Sequence, residues 1–255
     1  VHIVEFTDRL ISVIEEDLVS VVANKLKEFN VQTHFKTKAI EYEKRESEGK
    51  VKLYAKLDCE GKQFEIETDK ILVVVGRKPN SQDFGIENAG VIVDDKGFIK
   101  VDSQMRTNVD NIFAIGDVVG QPMLAHKASR EGKVAAEVIA GLPSAFDNKV
   151  IPFVVFNDPE IASVGMTEEE AKENGKANGY EITVGKFPFN ALGRSLTLNQ
   201  TDGFVKIVAR KDNGIILGVH AVGYNVSDII NEGTLAIEMC ATLEDVASTI
   251  HPHPT

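Results

Sequence analysis

The chain has 255 residues, room for one large domain or two ordinary ones, and its 43% hydrophobic and 26% charged residues exclude wholesale disorder. With 28 Lys and Arg against 39 Asp and Glu, a formal charge of −11, it lacks the cationic surface that nucleic acid or an anionic membrane requires. Cys59 and Cys240 are too far apart in sequence to suggest a disulfide framework or a thiolate metal site, and no apolar run approaches the roughly 20 residues of a membrane helix, so a soluble chain is expected.

Val1 to Phe6 reads as a short strand, apolar and β-branched, with the acid Glu5 near its end. Over residues 16–29, Leu18, Val21, Val22, Leu26 and Phe29 recur at helical spacing, and Asn30 is a stop signal. Val31 to Phe35 is a second strand, so residues 1–35 predict a strand–helix–strand unit of a parallel sheet. Segments 38–45, 50–58 and 63–68 alternate in the strand manner, with turns at Glu48–Lys50 and Glu60–Lys62, and predict a β-meander. Ile71–Gly76 is a continuous apolar run, the pattern of a strand buried on both faces, and Arg77–Asn80 breaks it.

Gly97–Val101 and Ile112–Asp117 predict two more strands, and residues 125–140 a helix stopped by Gly141 and Pro143. Thr167–Glu170 resembles a capping box opening a short helix that ends at Gly175. Residues 203–210 and 215–222 flank Asp212-Asn213-Gly214, a hairpin signal. Ile229, Ile230, Leu235, Ala236 and Met239 make a helical stripe over 227–240, and Thr242–Asp245 starts a last helix towards Ile250. The expected fold class is α/β: partial doubly wound nucleotide-binding domains with a β-meander, followed by an α+β domain. Boundaries are expected at 1–80, 81–149 and 150–255. Val1 begins inside a strand and His251–Thr255 follows a helix with no closing element, so a longer parent polypeptide is expected.

Several positions can carry chemistry. An acid such as Glu5 at a strand end can accept hydrogen bonds from both adenosine ribose hydroxyls of a dinucleotide, or it can be a surface carboxylate. Gly76 closes an apolar strand, either where backbone approaches a nucleotide or at a plain turn. In Asn111–Asp117 an apolar strand ends in Gly116-Asp117, with a helix starting near Met123. Asp117 can accept from a ligand hydroxyl, or simply cap a turn; the helix start offers free N–H groups and a positive dipole end. His251 and His253 alternate with prolines that stiffen the backbone, which suits a general base. A His-x-His metal pair is the other option, but no Cys, Asp or Glu stands within two residues on either side, so no metal site is assigned. His2, His34 and His220 read as structural.

The motifs Val75-Gly76-Arg77-Lys78-Pro79-Asn80, Phe113-Ala114-Ile115-Gly116-Asp117, Met123-Leu124-Ala125-His126, Asp158-Pro159-Glu160-Ile161-Ala162-Ser163-Val164-Gly165 and the terminal His-x-His-Pro-Thr stand in this order. In these the chain resembles the dihydrolipoamide dehydrogenases, a branch of the flavin-dependent pyridine nucleotide–disulfide oxidoreductases, over its whole length. The resemblance implies the C-terminal portion of such an enzyme: a partial NAD-binding domain (1–80), a central FAD-return domain (81–149) and a dimerisation domain (150–255). It implies a parent that oxidises protein-bound dihydrolipoamide to lipoamide with NAD⁺ through FAD and a redox disulfide. Position by position, it places Glu5 on the NAD adenosine ribose and the backbone of Ala39 and Gly76 on NAD. Asp117 falls on the FAD ribityl chain, Met123, Leu124, Ala125 and His126 along the flavin, and His253 as the catalytic base acting at the partner subunit's flavin. Implied partners are a second copy of the chain and the lipoyl-bearing acyltransferase of a 2-oxo acid dehydrogenase complex. Cysteine usage of the reducing type and the acidic composition point to the cytoplasm, or the mitochondrial matrix in a eukaryote, and the implied wider role is cell redox homeostasis.

Three departures qualify this. Neither Cys59 nor Cys240 matches the family's redox pair, the carboxylate that orients the base falls beyond Thr255, and Pro252 stands where the family usually has Ala. The 255-residue chain alone is therefore expected to lack turnover. A non-catalytic dimerisation module and another flavin disulfide reductase, such as a glutathione reductase, are the competing readings; Glu5 and the doubled histidine favour the lipoamide branch.

Overall fold

The computed structural model describes residues 1–47 and 49–255, so the expected turn at Glu48–Lys50 lies partly outside the described residues. The chain divides into two compact units, Val1–Leu72 with Val150–Thr255, and Val73–Lys149.

The first unit opens with β1 (His2–Val4), α1 (Glu16–Glu28) and β2 (Gln32–His34), and β1 pairs with β2 in parallel, His2 opposite Gln32. A meander follows: β3 (Thr37–Ser47), β4 (Lys50–Cys59) and β5 (Lys62–Thr68), paired antiparallel in that order. The later part of the unit is a five-stranded antiparallel sheet. Its strands are β6 (Phe153–Val155), β7 (Glu160–Gly165), β8 (Ile182–Pro188), β9 (Phe204–Arg210) and β10 (Ile216–Gly223), in the order β6-β7-β10-β9-β8.

Period-two alternation gives this sheet two apolar faces. Ala162 and Val164 of β7 and Val219 and Ala221 of β10 pack with Val226, Ile230, Ala236 and Ile237 of helix α5 (Val226–Glu238) and its flank. Gly233 is the point of closest approach: a Cβ there would lie 2.9 Å from Cβ of Val219, so only glycine lets α5 seat. Ile161 and Val222 point the other way, into a cluster with Leu10, Ile14, Leu18, Val19 and Val22 of α1 and the loop before it. The sheet is thus covered by α5 on one face and by α1, from far earlier in the chain, on the other.

Polar groups fix where α1 begins. Lys206 of β9 is 1% exposed, and its ammonium lies 2.9 Å from both Glu15 Oε2 and Asp17 Oδ2; Lys186 of β8 also pairs with Asp17. His220 of β10 is equally buried and donates from Nε2 to the Met166 carbonyl at 2.9 Å. Burial pushes this imidazole below its ordinary range, which fits the expected structural histidine.

Shorter helices complete the unit: α3 (Glu168–Asn178), α4 (Gly193–Leu198) and α6 (Leu243–Ser248). The expected capping box is present, Thr167 with Glu170, and a second joins Thr242 to Asp245. The first of these helices runs past the predicted stop at Gly175 to Asn178. Gly175 lies inside it, where a Cβ would come within 2.5 Å of the Tyr180 carbonyl oxygen, and the left-handed residue that ends it is Gly179.

In the second unit α2 (Ala125–Ile139) sets Val134, Ala135 and Val138 against Met105, with Phe113 alongside. The predicted strands at 97–101 and 112–117 are corrected to single bridges, Val93 with Ile99 and Arg106 with Phe113. The predicted strand at 71–76 is corrected as well: Leu72 to Val75 are 72–94% exposed, and no strand pairs with them among the described residues. An apolar run carries strand propensity, but a strand exists only where a neighbour satisfies its N–H and C=O groups.

Candidate functional site

The second unit builds its site on the turn between Ile115 and α2. Gly116 has φ +82°, a left-handed conformation that glycine adopts without strain, and a Cβ there would meet Ala128 Cβ at 3.4 Å. Its N–H donates to Glu131 Oε2 at 2.7 Å. Asp117 follows with its carboxylate half-exposed, and Arg77 braces it: Nη1 lies 3.0 Å from Asp117 Oδ2, while Nη2 donates to the Met123 carbonyl at 2.6 Å. Arg77 therefore ties Asp117 to Met123, two residues before α2.

α2 begins at Ala125 with no side-chain cap and no acid in its first turn. The positive end of the helix dipole at this start favours electron-rich groups there. Met123 is buried, Leu124 half-buried, and Ala125 and His126 exposed. Behind the turn Lys127 and Glu131 form a buried ion pair of 2.7 Å, and Lys127 Nζ donates to the Gly120 carbonyl at 3.4 Å.

This set fits the part of a flavin cofactor expected from the sequence: a hydrogen-bond-accepting carboxylate held beside a left-handed glycine turn, followed by a helix start with no side-chain cap. The structure brings Asp117, Met123, Leu124, Ala125 and His126 together in one unit. Gly76 is in the same unit, exposed at φ +123°, with nothing within 4 Å of a would-be Cβ.

In the first unit Glu5 stands directly after β1, and its Oε1 accepts from the N–H and hydroxyl of Thr7 at 2.8 and 2.9 Å. Its carbonyl accepts from the Thr37 N–H at 3.0 Å, which links it to the start of β3; Ala39, exposed on β3, borders the register shift between Ala39 and Glu41. His253 lies in the exposed terminal segment after α6. Two residues before it, His251 places Nδ1 2.8 Å from the Thr249 carbonyl and Nε2 2.5 Å from Glu232 of α5. Neither Cys59 nor Cys240 is in a disulfide. No group of three or more His, Cys, Asp or Glu among the described residues could hold a metal ion.

Arg77, Lys127 and Glu131 escaped the sequence reading. The Lys127–Glu131 spacing of four is a signal, but on a helix it ordinarily marks a solvated pair.

Residues 1–132 match the family model for the pyridine nucleotide-disulphide oxidoreductases, and residues 151–255 match the dimerisation domain of the same family. The chain belongs to this family. Dihydrolipoyl dehydrogenase of Geobacillus stearothermophilus is 48% identical over 255 residues, and that of Bacillus subtilis 46% over 254; the chain spans 53% and 52% of their lengths. It thus covers about half of these relatives. Among solved structures, the HOCl-induced flavoprotein disulfide reductase RclA from Escherichia coli superposes with a TM-score of 0.88 at 25% identity, covering all of this chain and 56% of that one. The family's nucleotide-binding and dimerisation portions account for the α/β region and the α+β sheet described above. No helix among the described residues is long and apolar enough to cross a membrane.

Proposed function

We propose that this chain is the C-terminal portion of a dihydrolipoyl dehydrogenase, whose parent oxidises protein-bound dihydrolipoamide and reduces NAD⁺. The observation that carries the reading is the Gly116–Asp117 turn beside the uncapped start of α2, braced by Arg77. FAD bound there would supply two-electron transfer between a dithiol and the nicotinamide. Asp117 would accept from a ribityl hydroxyl. Met123, Leu124, Ala125 and His126 would line the flavin, with the helix start favouring negative charge on the ring.

Glu5 would accept from the adenosine ribose hydroxyls of NAD and disfavour a 2′-phosphate, and Ala39 and Gly76 would contact NAD through backbone. His253 would exchange a proton with the dithiol at the site of a partner subunit, which requires a homodimer formed through residues 151–255. On this reading the 1–80, 81–149 and 150–255 segments are the NAD, central and interface domains, and the lipoyl-bearing acyltransferase is the macromolecular partner. A cytoplasmic or matrix location suits an acidic chain with two cysteines and no disulfide framework.

The test is kinetic. In the full-length parent, His253→Gln is expected to retain flavin and lose about 10²–10⁴-fold in the dithiol half-reaction, the worth of a general base. An unchanged half-reaction overturns the role of His253.

A further inference from the structure

Lys127 and Glu131 sit one turn apart on α2, 7% and 3% exposed at the side chain, and nothing in the proposed chemistry uses them. Their contacts are nevertheless specific. Glu131 Oε2 accepts the Gly116 N–H at 2.7 Å while Oε1 holds Lys127 Nζ at 2.7 Å, and Lys127 reaches on to the Gly120 carbonyl at 3.4 Å. One ion pair therefore grips both ends of the five-residue turn on which Asp117 stands. Arg77 holds the same turn from its exposed side, through the Asp117 carboxylate.

Cohesion alone does not call for this arrangement. Two ions taken out of water lose hydration that their attraction only partly returns, and apolar residues of similar volume often hold such a place as well or better. Apolar residues cannot accept the Gly116 N–H or donate to the Gly120 carbonyl. With φ at +82°, Gly116 occupies a conformation that turns readily into others, because glycine is the least restrained residue. A buried carboxylate on its N–H removes that freedom, and so fixes the direction in which the next residue, Asp117, presents its oxygens.

We propose that Glu131 and Lys127 are positioning residues of the flavin site, which set the Gly116–Gly120 turn from within and thereby aim Asp117 at the cofactor. This rests on the flavin reading of the site. Glu131 is the principal member because it holds Gly116 directly; Lys127 neutralises it and secures the far end of the turn.

Two double variants of the full-length parent separate this role from packing. In Lys127→Met with Glu131→Gln, both charges are gone but the amide oxygen can still accept from Gly116. In Lys127→Met with Glu131→Leu, volume is kept and the acceptor is lost. Neither leaves an unpaired buried charge, so both are expected to fold. The readout is the rate of FAD release, followed by the recovery of flavin fluorescence on dilution. The Gln pair is expected to release FAD at close to the wild-type rate, and the Leu pair about 10- to 100-fold faster, the scale of a misdirected hydrogen bond to a charged acceptor. Amide exchange at Gly116 in the flavin-free protein is expected to be slow in wild type and in the Gln pair and fast in the Leu pair. Equal release rates in the two pairs overturn the positioning role while leaving the flavin reading intact. A wild-type parent that binds no FAD overturns both.

Discussion

At His251 both ring nitrogens face acceptors, Glu232 Oε1 and the Thr249 carbonyl, so the ring that satisfies both is the doubly protonated one. The Glu232 hydrogen bond, then the Thr249 carbonyl and the Glu232 charge, raise this imidazole above its ordinary value of 6.5. The contact is therefore complete below that value and is lost as pH rises through the elevated one. In imidazole NMR titrations Glu232→Gln is expected to bring the His251 midpoint down; an unmoved midpoint contradicts the pairing. The contact matters because it anchors the segment that carries His253. Asp117 and His253 stand out as candidates in the sequence because short order-dependent motifs, strand–Gly–Asp–helix and His-x-His-Pro, draw attention to these stretches. Arg77 does not, because its partner Asp117 lies forty residues on and only folding joins them. Lys127 and Glu131 do not, because their spacing is the same whether the helix face is wet or buried.

The element that most departs from a local reading is α1. Its periodicity predicts the helix and its apolar face, but not that the face seats on a sheet assembled from residues beyond 150. The seat is fixed by Lys206, and its two carboxylates, Glu15 and Asp17, come from the start of α1. Lys206→Met is expected to lower unfolding free energy by about 3 kcal/mol in urea titrations, the lower end for breaking a buried pair because Asp17 is part-exposed and keeps Lys186. Adding Glu15→Gln and Asp17→Asn is expected to recover most of the loss, and an unaffected single variant would contradict the latch. Burial raises the Asp17 carboxyl, but the hydrogen bonds and charges of Lys186 and Lys206 outweigh it and hold it below 3.8. Its share of stability is thus present above that value and lost as pH falls through the lowered one, a loss that Asp17→Asn is expected to abolish. Helices, the meander and the Asp212–Gly214 hairpin were legible because their signals are local. The runs at 71–76, 97–101 and 112–117 carried the right composition for strands, yet strand formation depends on partners that no local pattern supplies.

On the scale of the whole molecule, the two compact units carry different parts of one proposed reaction. Val73–Lys149 holds the turn, the brace and the helix start assigned to flavin, and the remainder holds Glu5, Ala39 and His253 together with the five-stranded sheet of the dimerisation domain. The chain spans about half the length of its dihydrolipoyl dehydrogenase relatives, and on the proposed reading neither Cys59 nor Cys240 is part of the redox pair. Turnover is therefore expected of the parent and not of these 255 residues alone. The most direct measurement is the FAD content and release rate of the full-length parent carrying Asp117→Ala. Asp117 is half-exposed, so its loss should leave the fold in place; release about 10- to 100-fold faster than wild type is expected for a lost charged acceptor. Full flavin content with an unchanged release rate would contradict the assignment of this turn to the cofactor.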